Sequence, residues 1–351
     1  MVDWTLARQV ARFAAGNGAS APSLESPDFG GRVAATERTL SEYTGLTAVE
    51  PIPAPETVSR AEWAEVNVGT MADMLEPVTD RLGKRFVGAG AFAGPLRIAA
   101  GATVAAEIGL VVGYMSQRVL GQYELSLLET ERPARLLFVE PNLARAIRDL
   151  EVDSDSFLSW IVLHELTHVL QFSGVPWLRA HMATLMKAYL ASVEVRIERG
   201  SAGGLPSLPN PARLLESFRE GGLVALVQTR EQRAIMERVQ TTMSVIEGYS
   251  EHVMDAVGES VLPAYAGLRD AMERRRRSRS APERVLQRLL GFEMKMRQYE
   301  QGKKFCDAVV SRHGIAALNR VWESPESLPT TSELQTPEAW VARLGELPAA
   351  A

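Results

Sequence analysis

Apolar residues recur at helical spacing through most of the chain. Residues 4–15 and 32–46 each carry such a stripe, separated by a Gly/Ser/Pro-rich loop over 16–31. Pro51, Pro53 and Pro55 predict an extended connector, and helical spacing returns over 59–82, with Trp63, Met71, Met74 and Leu75 as core contacts and Pro77 breaking or kinking the helix. Residues 99–115 are apolar almost all round. The pattern then changes: residues 135–139, Arg-Leu-Leu-Phe-Val, form a short apolar run suited to a strand. Pro141 opens a helix whose apolar positions are Leu143, Ala146, Ile147 and Leu150. Asp153, Ser154, Asp155 and Ser156 offer N-caps to the next helix, which Gly174 and Pro176 end. Further helical runs cover 176–199, 230–257 and 284–302, with a Gly/Pro/Ser-rich loop over 200–211. The prediction is a mainly α fold with a small β component, divided into an N-terminal helical region, 1–120, packed on a core of 121–351, or one continuous domain.

Composition narrows the class. With 351 residues, 46% of them hydrophobic, the chain can bury a sizeable core, and a net charge of −5 does not suggest a nucleic-acid binder. The single cysteine, Cys306, excludes an internal disulfide framework and a Cys-rich zinc site and fits a reducing, cytoplasmic compartment. Lys303 and Lys304 lie near it, but a lone cysteine at helical spacing reads as core. Arg8 and Arg12 interrupt the N-terminal stripe where a signal peptide needs an unbroken apolar run. The 99–115 stretch imitates a membrane span, yet Glu107 falls at its middle and Arg97, Gln117 and Arg118 flank it. A charge at mid-span is costly in lipid, so a buried helix of a soluble protein is expected.

The chemistry concentrates in the helix after Asp153. His164-Glu165-Leu166-Thr167-His168 places two imidazoles one turn apart on one helix face, where they can converge on one metal. Glu165 is rotated by about 100° from His164 and can reach an activated water without ligating the metal. With five histidines in the chain, about 0.005 such strings are expected by chance. The uncharged flanks Ile161, Val162, Leu163, Val169 and Leu170 suit a buried active-site helix.

Two histidines leave a catalytic zinc site one protein ligand short. Glu247, Glu251 and Asp255 repeat every four residues on the 230–257 helix, among Val245, Ile246, Val253, Met254 and Val257. Such a row is either a solvated acidic face or a row that meets cations. Gly248, beside Glu247, costs a helix about 1 kcal/mol relative to Ala, and close approach to the motif helix would account for it.

His164-Glu-Leu-Thr-His168 resembles the zinc helix of thermolysin-like enzymes, and Glu247-Gly-Tyr resembles the segment that supplies the third ligand in gluzincin aminopeptidases. The resemblance implies Zn2+ on His164, His168 and Glu247. Glu251-His-Val-Met-Asp255 also resembles the ligand and supporting carboxylate of the thermolysin group, so Glu251 stays open as the third ligand. With Glu247 preferred, Glu251 or Asp255 becomes the carboxylate that orients a ligand histidine. Over its length the chain is similar to a bacterial family of zincin-like hydrolases, some of whose members are named for association with biosynthesis of a deazaflavin coenzyme. The matching stretches are Leu120-Gly-Gln-Tyr123, the motif helix, 247–255, Met296-Arg-Gln-Tyr299-Glu-Gln-Gly302, and 322–329. The resemblance implies a zincin-like metallopeptidase core.

Other features read as structure. Arg274 to Arg277 with Arg279 and Arg284 lack interleaved aromatics and suit a solvated loop. His181, His252 and His313 are placed in structural roles, and Trp322, Pro325, Pro329 and Trp340 read as a packing cap. Tyr299, or Arg297 beside it, is a candidate to polarise a substrate carbonyl. The expected activity is zinc-dependent hydrolysis of a peptide or amide, with Glu165 as general base, Tyr299 as a second catalytic group and neither nucleic acid nor membrane as partner. The alternative is a catalytically silent binding or scaffold protein that keeps the zincin fold.

Overall fold

The structure, a computed structural model, describes residues 2–16, 24, 27–86, 93–129, 131–192, 229–277 and 292–345. Among them the chain runs through α1 (Trp4–Ala15), α2 (Phe29–Thr44), β1 (Pro55–Val58), α3 (Arg60–Phe86), α4 (Ala93–Ser116), β2 (Gly121–Glu124), β3 (Arg135–Val139), α5 (Glu140–Leu150), α6 (Ser154–Gly174) and α7 (Leu178–Ser192). It continues with α8 (Arg230–Val261), α9 (Tyr265–Arg277), α10 (Phe292–Leu318), two short 3-10 turns, α11 (Thr331–Gln335) and α12 (Pro337–Leu344). The mainly α expectation with a small β part therefore holds. The loop predicted over 200–211, and Arg279 and Arg284 of the arginine run, lie outside the described residues.

Two compact units make up the chain: Met1–Ala180 with Val253–Met272, and His181–His252 with Glu273–Ala351. In the first, the three strands are ordered β1-β3-β2, with β1 parallel and β2 antiparallel to the central β3. Leu136, Leu137, Phe138 and Val139 of β3 are fully buried, as a strand covered on both faces requires. Phe29 of α2 stacks on Phe138 with ring centroids 4.1 Å apart. The strand at 135–139 is thus central, and β1 and β2, which are too short for a clear alternation, were not predicted.

Small residues set how α1 and α4 meet. Ala7 and Ala11 are fully buried, and a Cβ added to Gly109 would lie 2.6 Å from the Ala7 carbonyl oxygen, one added to Gly113 2.5 Å from the Ala14 Cβ. α4 is buried along this stripe only: Ala105 and Val112 are inside, while Ile98, Val104 and Leu110 are exposed. Its Ile98–Ser116 stretch is long and apolar enough to cross a membrane by length and composition, with 28% of that window buried. α3 continues through Pro77 rather than ending there. Asn142 joins the pieces: its Nδ2 donates to the carbonyls of Ser116 and Val119, both at 2.7 Å, and its Oδ1 accepts from Arg60 Nε at 2.7 Å.

In the second unit, Trp340 is fully buried, donates its indole N–H to the Ser327 carbonyl at 2.7 Å, and packs edge-on against Phe305. Tyr249 packs on Trp322 and donates its hydroxyl to Asn319 Oδ1 at 2.8 Å. These contacts form the aromatic cap expected around Trp322 and Trp340. α10 kinks at Gly314, whose φ of 79° is open to glycine at little cost. Cys306 is fully buried, and burial raises its thiol pKa, so it is core rather than a reactive thiol.

Candidate metal centre

The motif helix starts where the sequence placed it. Asp153 is its N-cap, with a carboxylate oxygen accepting from the Ser156 N–H at 2.8 Å, and Ser156 holds that carboxyl below its ordinary pKa. Arg32 of α2 braces the same turn, donating Nη1 to the Asp155 carbonyl at 3.0 Å and to Ser159 Oγ at 2.7 Å. Phe157, Ile161, Val162, Leu163, Leu166, Val169 and Leu170 are buried, so α6 is covered almost all round, as its apolar flanks require.

His164 and His168 are half-buried, their ring planes at 82° and centroids 4.7 Å apart. Each ring is held at Nδ1: His168 faces Gln171 Oε1 at 2.9 Å, and His164 faces Met254 Sδ of α8 at 3.2 Å. A carboxamide oxygen and a thioether accept, so where each Nδ1 donates to its partner each Nε2 is left to present a lone pair. Those Nε2 atoms are 3.3 Å apart. Facing lone pairs repel unless a cation lies between them. Zinc–nitrogen bonds of about 2.0–2.1 Å at tetrahedral angles set two nitrogens about 3.3–3.4 Å apart, so the donor pair fits such an ion.

Among the described residues, one group of three His, Cys, Asp or Glu side chains is disposed to share a metal ion: His164, His168 and Glu247, with one ligand atom of each within 4.8 Å of the others. Glu247 is half-buried on α8, while Glu251 is 8% exposed on the same helix. Asp255, expected as the alternative to Glu251 for the carboxylate that orients a ligand histidine, faces the Tyr265 hydroxyl and Arg269 Nε, the latter at 3.4 Å. The contacts at the two Nδ1 atoms are a carboxamide and a thioether. Gln171 was legible as a residue one turn beyond His168; Met254 carried no signal that separates it from an ordinary core methionine.

Glu165 is 6% exposed. Its Oε2 accepts from the Tyr123 backbone N–H at 3.0 Å, and Gly121 lies so close that an added Cβ would stand 2.8 Å from Glu165 Oε1. The edge strand beside the motif helix is therefore β2, and Gly121 is glycine because the carboxylate occupies the space of a side chain.

Gly248 has a different reason from the one expected. A Cβ there would lie 2.2 Å from the carbonyl carbon of Gly302 on α10, so the close approach is between α8 and α10. His252, 8% exposed, holds its Nδ1 2.8 Å from Asp307 Oδ1, and Lys303 meets the other Asp307 oxygen. Burial works to raise the Asp307 pKa, and the His252 and Lys303 hydrogen bonds outweigh it and lower the pKa overall. Tyr299 lies on α10 one turn before Gly302; its side chain is outside the described residues.

The family model described as zincin-like metallopeptidase matches residues 2–341. The crystal structure of a presumed hydrolase with a novel fold from Chloroflexus aurantiacus is 32% identical in sequence, with a TM-score of 0.73 over 98% of this chain and 99% of that one. No curated protein matches the chain.

Proposed function

The chain belongs to the zincin-like metallopeptidase family, and from that premise we propose that it is a metal-dependent hydrolase of peptides or related amides, with Zn2+ held by His164, His168 and Glu247. The observation that carries this reading is the convergence of those three ligand atoms within 4.8 Å beside a buried glutamate in the adjoining motif position. Zinc held there would supply Lewis acidity for a carbonyl oxygen and for a water. Glu165 is the residue placed to take a proton on a carboxylate oxygen and to pass it to the leaving amine. Tyr123 N–H and Gly121 fix where the carboxylate stands. Tyr299 completes the proposal as the hydroxyl that steadies charge on the carbonyl oxygen; its place on α10 near the Gly302 crossing, next to Gly248 and hence Glu247 in sequence, supports this role. A cytoplasmic location belongs to the same reading, supported by the single, buried cysteine.

A second reading, a zincin-fold scaffold without turnover, has one observation in its favour: Glu165 is buried and spends an oxygen on a backbone N–H, as a structural carboxylate does. Screening peptide and amide libraries with the wild type beside Glu165→Gln, with zinc content measured for both, separates the two. Cleavage present in the wild type and absent from a zinc-loaded variant supports the hydrolase; no cleavage by either supports the scaffold.

A further inference from the structure

A histidine that ligates a metal usually donates its other ring N–H to a carboxylate, a backbone carbonyl or a water, which fixes the tautomer and makes the ligand more basic. Here the acceptor on His164 is the thioether of Met254, 3.2 Å from Nδ1, and the acceptor on His168 is the carboxamide of Gln171 at 2.9 Å. Both side chains are fully buried. A thioether is a weak acceptor, and water rarely replaces it at so enclosed a position. Met254 stands seven residues beyond Glu247 on α8, which brings the two to nearly the same helix face. One helix thus supplies both a ligand and the contact that holds another ligand's ring.

We propose that Met254 is a positioning residue for the metal centre: its sulfur accepts the His164 Nδ1–H, selects the tautomer that leaves Nε2 to the metal, and fixes the ring's angle to His168. The inference rests on the reading of His164, His168 and Glu247 as a metal site. Met254 is neutral and a weak acceptor, so it is a place where a better acceptor tightens binding.

The test measures zinc affinity of the full chain by competition with a chromophoric chelator, together with the visible spectrum of the cobalt(II)-substituted protein. Met254→Leu keeps the volume and removes the acceptor; a loss of about 10–100-fold in zinc affinity and shifted cobalt bands are expected. Met254→Gln returns an acceptor to the same place, and its affinity is expected to equal or exceed that of the wild type. Val257→Ala, which trims a buried side chain farther along α8, lowers the unfolding midpoint and leaves zinc affinity unchanged. Wild-type affinity and bands in both Met254 variants overturn the proposal while leaving the metal site standing. A wild type that binds no zinc overturns the site and the proposal together.

Discussion

Gly248 and Gly302 meet backbone against backbone: a Cβ built on Gly248 falls 2.2 Å from the carbonyl carbon of Gly302, and one built on Gly302 falls 1.8 Å from the Ser244 carbonyl oxygen. Neither obstacle is a flexible side chain that can swing away, so α8 and α10 must separate to admit even a methyl group. Gly248→Ala and Gly302→Ala are each expected to cost about 1–3 kcal/mol in urea unfolding. Gly69, a helical glycine with nothing within 4 Å of a built Cβ, provides the contrast, since Gly69→Ala is expected to stabilise by about 0.5–1 kcal/mol. Wild-type midpoints in the first two variants would show that the crossing is looser than described.

The N-cap of the motif helix predicts a pH signature. Asp153 accepts the Ser156 N–H, and that bond lowers its pKa from the ordinary 3.8. A carboxyl depressed in the folded state contributes its stability fully above the unfolded pKa and loses it as pH falls through the folded value. Asp153→Ala should therefore cost about 1 kcal/mol at neutral pH, and the gap from the wild type should narrow only below about pH 4. Urea unfolding across that range checks it; a gap already closing at pH 6 would assign the effect to another group.

Gly121 is tied to Glu165 in the same way that Gly248 is tied to Gly302, with a carboxylate in place of a backbone. Gly121→Ala places a methyl 2.8 Å from Glu165 Oε1 and must move the carboxylate from the Tyr123 N–H. For a substrate found with the wild type, kcat should fall by about a hundredfold, with zinc content unchanged. Loss of zinc instead would mean that the substitution disturbs the helix rather than the base.

How much of this was legible beforehand follows from the range of each interaction. Helices α1, α4 and α6, the 135–139 strand and the Asp153 cap depend on local spacing and capping, and local patterns are what a sequence displays. The convergence of His164 and His168 is also local, since helix geometry alone sets it. The choice among candidate third ligands is not local: Glu247, Glu251 and Asp255 share one periodicity, and only the fold brings Glu247 within 4.8 Å of the histidines and turns Asp255 to Tyr265 and Arg269. Gly248 announced a close approach and not its partner. Met254 looked like core because it is core, fully buried; the role proposed for it rests on where one sulfur atom lies. β1 and β2, four residues each, owe their conformation to pairing with β3 and not to their own composition.

The central claim is that His164, His168 and Glu247 hold one zinc ion. An anomalous difference map collected at the zinc edge, from crystals of protein purified without chelators, tests it most directly. The account predicts a single strong peak bonded to His164 Nε2, His168 Nε2 and a Glu247 oxygen, abolished by His164→Ala or His168→Ala and kept in Glu165→Gln. A map with no peak there, or a peak bound to Glu251 in place of Glu247, would contradict it.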